Sequence, residues 1–188
     1  MLKIYSVALA LIGILPICAP AQPPSQPTEA TRQAMAKLNF LDGRWEGTGT
    51  LTMGPGRKEN CRVIESCQFK LQRSVLVLEG QGTIASTDGS SQIVHDAMAI
   101  LSWDAQQNRY RMRSYRAGSE LLDPEIEVQE NRIVWSFKDA RAGQIRFTLT
   151  VEGDRWKEIG EVSPPGVNRW FPFFEMQLRR QATATTTP

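Results

Sequence analysis

Histidine is almost missing from this chain of 188 residues: His95 is the only one. Any Ser/His/Asp or Cys/His nucleophilic arrangement would have to pass through that single imidazole. Its neighbour Asp96 points to the opposite face of a strand, because strand side chains alternate, and so is not placed to orient the ring. The three cysteines, Cys18, Cys61 and Cys67, form no His/Cys cluster with zinc spacing, and no metal site is expected. No Gly-rich loop follows a strand and opens a helix, which removes the phosphate cradle of nucleotide chemistry. An excess of one charge is missing too. The formal net charge is +2, so nothing electrostatic calls for nucleic acid or an anionic membrane surface as a partner. No apolar run is long enough for a comfortable transmembrane helix, and stable membrane insertion is not expected.

What is present begins with a targeting signal over residues 1–21. Lys3 supplies the positive start, Ile4 to Ile17 the apolar run, and Ala19-Pro20-Ala21 a small-x-small cleavage site before Gln22. Export to the periplasm or the medium is the expectation. Leu15-Pro16-Ile17-Cys18 also offers a lipoprotein box with Cys18 lipidated, but Ile17 stands where a small residue is normal. Export would carry Cys61 and Cys67 into an oxidising compartment, where a pair usually becomes a disulfide. Six residues of extended chain span roughly 20 Å, whereas a disulfide needs Cα atoms within about 7 Å. Bridging therefore requires a bulge or turn near Val63 to Ser66, and the alternative is two separate buried thiols.

Residues 22–36 read as a Pro-containing leader and a short helix: Thr28 can cap a run from Glu29 to about Leu38, with Ala30, Ala34, Met35 and Leu38 on one apolar stripe. That stripe suits packing on one mouth of a barrel. From Gly43 onward strand runs alternate with turn signals about every ten residues. In Gly43 to Met53, Trp45, Gly47, Gly49, Leu51 and Met53 share one face, and the glycines suit a strand that coils or passes close under another element. Runs follow at Cys61 to Leu71, Ser74 to Ser86, Ile93 to Trp103, Arg109 to Arg116, Glu120 to Gln129, Arg132 to Lys138, Gln144 to Glu152, Arg155 to Val162 and Trp170 to Arg180. Ten antiparallel strands with short connections are most economically closed into an up-and-down barrel over residues 37–180, the last strand against the first. The fold expected is thus all-β with one short N-terminal helix, followed by a disordered tail over residues 181–188.

Leu41-Asp42-Gly43-Arg44-Trp45-Glu46-Gly47, taken with Leu101-Ser102-Trp103-Asp104 and Arg109-Tyr110, resembles a bacterial lipocalin-like family of unknown function related in fold to the nitrobindins. Gly43-x-Trp45 is placed like the Gly-x-Trp of calycin barrels, on the first strand after a short helix. The resemblance implies a calycin-type barrel in which Arg179 or Arg180 stacks on Trp45. It also raises haem, which nitrobindin-like barrels hold through a histidine near the C-terminal end. Here the matching segment, Phe171 to Gln177, contains none, so haem would fall to His95, Tyr110 or Met176 as axial ligand.

A barrel of this size holds either a side-chain core or one small ligand. The expected lining combines Trp45, Met98, Tyr110 and Met112 with Trp135, Phe147, Phe174 and Met176, a methionine and aromatic surface adaptable to a flat or greasy molecule. His95, Arg113 and Arg116 are the polar candidates, Arg113 and Arg116 as an anion site at the mouth. Arg109, Arg111 and Arg113 share a face, as do Glu125 and Glu127, which suggests a ladder of opposite charges on the exterior. Glu158 and Glu175 lie on strands that can approach, the minimum for glycoside chemistry, but nothing in the sequence places them in a cleft. The leading expectation is an exported, non-catalytic barrel that binds a small, mostly apolar molecule and needs no cofactor. A haem protein with reactive-nitrogen chemistry and a filled structural or interaction barrel are the alternatives.

Overall fold

The structure, a computed structural model, describes residues 26–54, 56–86, 88–118 and 122–182. The expected signal peptide and residues 183–188 of the tail lie outside them. Thr28 caps helix α1 (Glu29–Ala36): its Oγ1 accepts from the Thr31 N–H at 3.2 Å, and Glu29 in the first turn complements the helix dipole. A single 3-10 turn, Asn39–Leu41, leads into β1 (Gly43–Gly54) and β2 (Arg57–Lys70). Then come β3 (Val75–Ala85), β4 (Ser91–Asp104), β5 (Arg109–Arg116) and β6 (Glu125–Gln129). β7 (Arg132–Asp139), β8 (Gly143–Glu152), β9 (Arg155–Ser163) and β10 (Phe171–Arg180) complete the sheet.

All ten strands form one antiparallel sheet in the order β5-β4-β3-β2-β1-β10-β9-β8-β7-β6. The first strand pairs with the last from Trp45 opposite Arg180 to Leu51 opposite Phe174. Gly47 makes this possible: a Cβ there would stand 2.0 Å from the Gln177 carbonyl oxygen and 2.9 Å from Leu178 Cα. The open seam of the barrel falls mid-chain instead, between β5 and β6, where among the described residues the one bridge is Ser114 on β5 to Leu122, ahead of β6. Pro124, with no N–H to donate, stands just before β6 and helps keep that strand to five residues, so it starts at Glu125 rather than Glu120. The charge ladder expected between these strands consequently does not form. Arg111 bonds Asp123 at 2.8 Å instead, across the seam.

The lower end is sealed. Trp45 is fully buried, donates from Nε1 to the Leu41 carbonyl at 2.8 Å, and meets Trp156 edge-on at 5.4 Å. Of the two arginines considered, Arg180 is the one that stacks, its guanidinium carbon 3.9 Å from the Trp45 ring centre. The same guanidinium donates to the carbonyls of Phe40, at 2.7 Å, and Asp42. Helix α1 packs against β4, and Tyr110 Oη donates to the Ala34 carbonyl at 2.7 Å. Leu38, Leu41, Leu76 and Leu101 fill the space between. Of the expected apolar stripe, Ala34, Met35 and Leu38 cap one barrel end, while Ala30, a turn earlier, stays exposed.

Candidate functional site

With one end sealed, the strands leave space toward the other. An outer cavity of about 320 Å³ runs in from the end where Leu51, Ile84, Val94 and Arg116 sit. A deeper lobe of about 130 Å³ lies below it, among Leu78, Ala99, Leu101, Met112 and Ile133. Four side chains, Glu65, His95, Trp135 and Glu158, line both lobes and form the partition between them.

Of the eight expected lining residues, five point into this space: Met112 in the deep lobe, Phe147, Phe174 and Met176 in the outer one, and Trp135 at the partition. Met98 borders the deep lobe but stands on the outward face of β4 with Asp96, opposite Tyr115, because alternation gives the inward row to Ala97, Ala99 and Leu101. Trp45 and Tyr110 do not line it. Both belong to the sealed end, where helix and 3-10 turn use their polar atoms. Trp135 and Phe147 stack at 4.1 Å, and Phe173 and Phe174 meet Phe147 edge-on at 5.7 and 6.2 Å. Phe173 joins this wall because the β9–β10 register shifts between Pro172 and Phe174, a bulge that places two successive residues on the cavity. A second shift, between Gly82 and Thr83, leaves Val94 as the extra residue on β4 and sets Val94 and His95 both on the outer lobe. Asp96 faces away from the cavity, as alternation requires.

Among the basic candidates, Arg116 reaches the outer lobe, while Arg113 is exposed on the outer surface of β5. The anion site expected from the two together is therefore not assembled. Burial, reinforced by the Arg116 guanidinium, holds His95 below its ordinary pKa.

Cys61 and Cys67 are free thiols. β2 pairs with β1 in unbroken register from Cys67 to Cys61, so the bulge that a disulfide would need is absent and the two Cα atoms stay an extended strand apart. Cys61 lines the outer lobe, and Cys67 is buried toward the sealed end. Burial pushes both thiols up, Cys67 further, which makes neither a ready nucleophile.

The carboxylate pair considered from sequence is not a pair. Glu175 points outward toward Lys157, 3.8 Å away, while Glu158 points inward and is buried. Its companion across the cavity is Glu65 on β2, which the sequence reading passed over. The signal was there: Cys61, Val63, Glu65, Cys67 and Phe69 are the inward face of one strand, and a glutamate in that row is a buried acid. Opposite it, Gly80 leaves the room, since a Cβ at that position would stand 2.4 Å from Glu65 Oε1. Glu158 accepts from Trp156 Nε1 at 3.2 Å. Among the described residues no group donates to Glu65. Burial, and secondarily the charge of Glu158, pushes Glu65 up to about 8; burial pushes Glu158 up to about 7. Chemically the site is an apolar, aromatic-walled chamber with two carboxyl groups that resist ionisation. No group of three or more His, Cys, Asp or Glu side chains among the described residues is arranged to hold a metal ion.

Fold and site together define a nearly closed, ten-stranded antiparallel barrel with an interior chamber opening at one end. Among solved structures the chain is similar to the crystal structure of Rv2717c from M. tuberculosis, with a TM-score of 0.57 and 14% identity over 84% of this chain and all of that one. At that identity the likeness is one of fold. No protein-family model and no curated protein matches the chain, so the lipocalin-like and nitrobindin-like resemblance rests on its short motifs and on the barrel.

Proposed function

We propose that this protein is exported and carries a small, mostly apolar molecule inside its barrel without transforming it. The observation behind this reading is the outer cavity of about 320 Å³, at the lower end of the range for small-molecule sites and walled mainly by aromatic and aliphatic side chains. One end of the barrel is sealed by α1, so exchange runs through the other. Export rests on the N-terminal sequence, and mature protein starting at Gln22 in the periplasmic or culture fraction is the outcome expected from N-terminal sequencing. No described helix is long and apolar enough to cross a membrane.

Native mass spectrometry of protein from its own host should reveal a co-purified molecule. An apolar fluorescent probe such as N-phenyl-1-naphthylamine should bind with a blue-shifted emission, and Ile84→Trp, which fills the mouth, should weaken it at least tenfold. No bound molecule and no probe binding would leave the filled structural barrel standing. Haem is the second reading, favoured by the position of His95 on both lobes. Of the other ligands considered, Met176 lines the outer lobe while Tyr110 is engaged at the sealed end. If haem is the occupant, added haem gives a Soret band that His95→Ala abolishes, and haem would supply the redox chemistry. Without that band, haem is excluded.

A further inference from the structure

Two glutamates that share one buried chamber with no countercharge between them are costly, because a buried carboxyl group is stable only when neutral, hydrogen-bonded or paired. Few groups are placed to relieve them. Around the partition, β4 offers His95, β5 offers Arg116 at the outer rim, and β2 offers the thiols of Cys61 and Cys67. The inward residues of β8 and β10 beside Glu158, Leu149 and Met176, are apolar. Arg116 is the only guanidinium on the lining of either lobe, among the described residues, and no lysine lines them. Trp156 satisfies one oxygen of Glu158, while Glu65 opens on the cavity with no donor. Gly80 holds open the space its carboxyl occupies.

We infer that the molecule carried in this barrel bears a protonated amine, seated at the partition between Glu65 and Glu158, with its apolar part in the outer lobe. The inference rests on the ligand-binding reading above and names the head group of that ligand. A cation supplies the one partner the chamber lacks. Their raised pKa values mean that the empty site holds protons at neutral pH. Binding an ammonium then displaces protons from the pair to solvent, leaving a carboxylate opposite the cation, so the charge balances.

The test uses three ligands of one length, octylamine, 1-octanol and octanoate, titrated calorimetrically at pH 7 into the mature protein. Octylamine should bind at least tenfold tighter than octanol, and octanoate more weakly than either. Its heat should vary with buffer ionisation enthalpy, showing proton release. In Glu65→Gln/Glu158→Gln the amine preference should fall below threefold while octanol still binds, which shows the variant folded with its cavity intact. Equal binding of amine and alcohol, or a preference that survives in the double variant, overturns the amine assignment and leaves the ligand reading in place. Binding of none of the three overturns both.

Discussion

Glu65 and Glu158 make the stability of this barrel depend on pH in the direction opposite to most paired carboxylates. An acid whose folded pKa lies above its ordinary value of 4.5 holds its proton more tightly in the folded state. Its contribution is complete below about pH 4.5 and is lost as pH rises through 7 and 8. The thermal midpoint should therefore fall between pH 5 and pH 9, with a loss of several kcal/mol of stability. Glu65→Gln should flatten that slope and be the more stable protein at pH 9. A wild-type midpoint that does not decline over this interval would contradict the burial of these groups. The ring of Trp45 fills the sealed end between Trp156 and Arg180. Trp45→Ala should cost about 3–5 kcal/mol in denaturant unfolding. Trp45 was singled out from sequence for the right face of the strand and the wrong end of the barrel. Alternation tells which side a residue faces, and says nothing of how far along the axis the helix plug reaches.

Strands and turns were largely readable because each carries its own signal. Helix α1, β5 and the hairpin at Gly153-Asp154 follow from local pattern, and Gly47 from the need for a close crossing. That crossing can be tested, because a methyl group at Gly47 would collide with the backbone of β10 itself. Gly47→Ala should destabilise by several kcal/mol, on the order of 3, or prevent folding, whereas alanine at Gly89, which meets nothing nearby, should cost about 1 kcal/mol for its left-handed backbone. Equal losses at the two sites would refute the role given to the β1–β10 contact. The turn between β2 and β3 had no such signal. Leu71, Gln72 and Arg73 are all left-handed, with φ of 49°, 56° and 64°, and none is glycine or asparagine. The turn is fastened by tertiary contacts, Arg73 donating to Asn39 Oδ1 at 2.7 Å and lying 3.9 Å over the Phe69 ring. The two bulges that aim Val94 and Phe173 at the cavity were equally silent, since a bulge is a mismatch between two strands and is written in neither alone.

At the scale of the molecule, a sheet that runs from β5 round to β6 has one weak line. β6 is short, and among the described residues the seam is held by one bridge just ahead of it, Ser114 to Leu122 with two N–H···O bonds of 2.9 Å, and by the exposed Arg111–Asp123 ion pair. Amides of β6 and the end of β5 should exchange with solvent well before those of β1, β2 and β10, by native-state hydrogen exchange. Uniform protection around the barrel would mean the seam is closed. Closure of the last strand on the first was expected and is found, but the mid-chain seam was not foreseeable, because short connections favour pairing everywhere and only the stagger of the whole sheet decides where pairing runs out.

Local pattern along the chain was enough for the class of the fold and the identity of most of the chamber wall. Period-two alternation and turn residues are local, and they suffice to make ten strands and sort their side chains into two faces. What the tertiary structure decided was depth and company: that Trp45 and Tyr110 serve the plug, that Cys61 and Cys67 stay apart, that Glu175 faces solvent, and that Glu65 meets Glu158 across the interior. Those outcomes depend on which strands lie opposite one another, and distance across a barrel is set by closure, which no segment of the chain encodes alone.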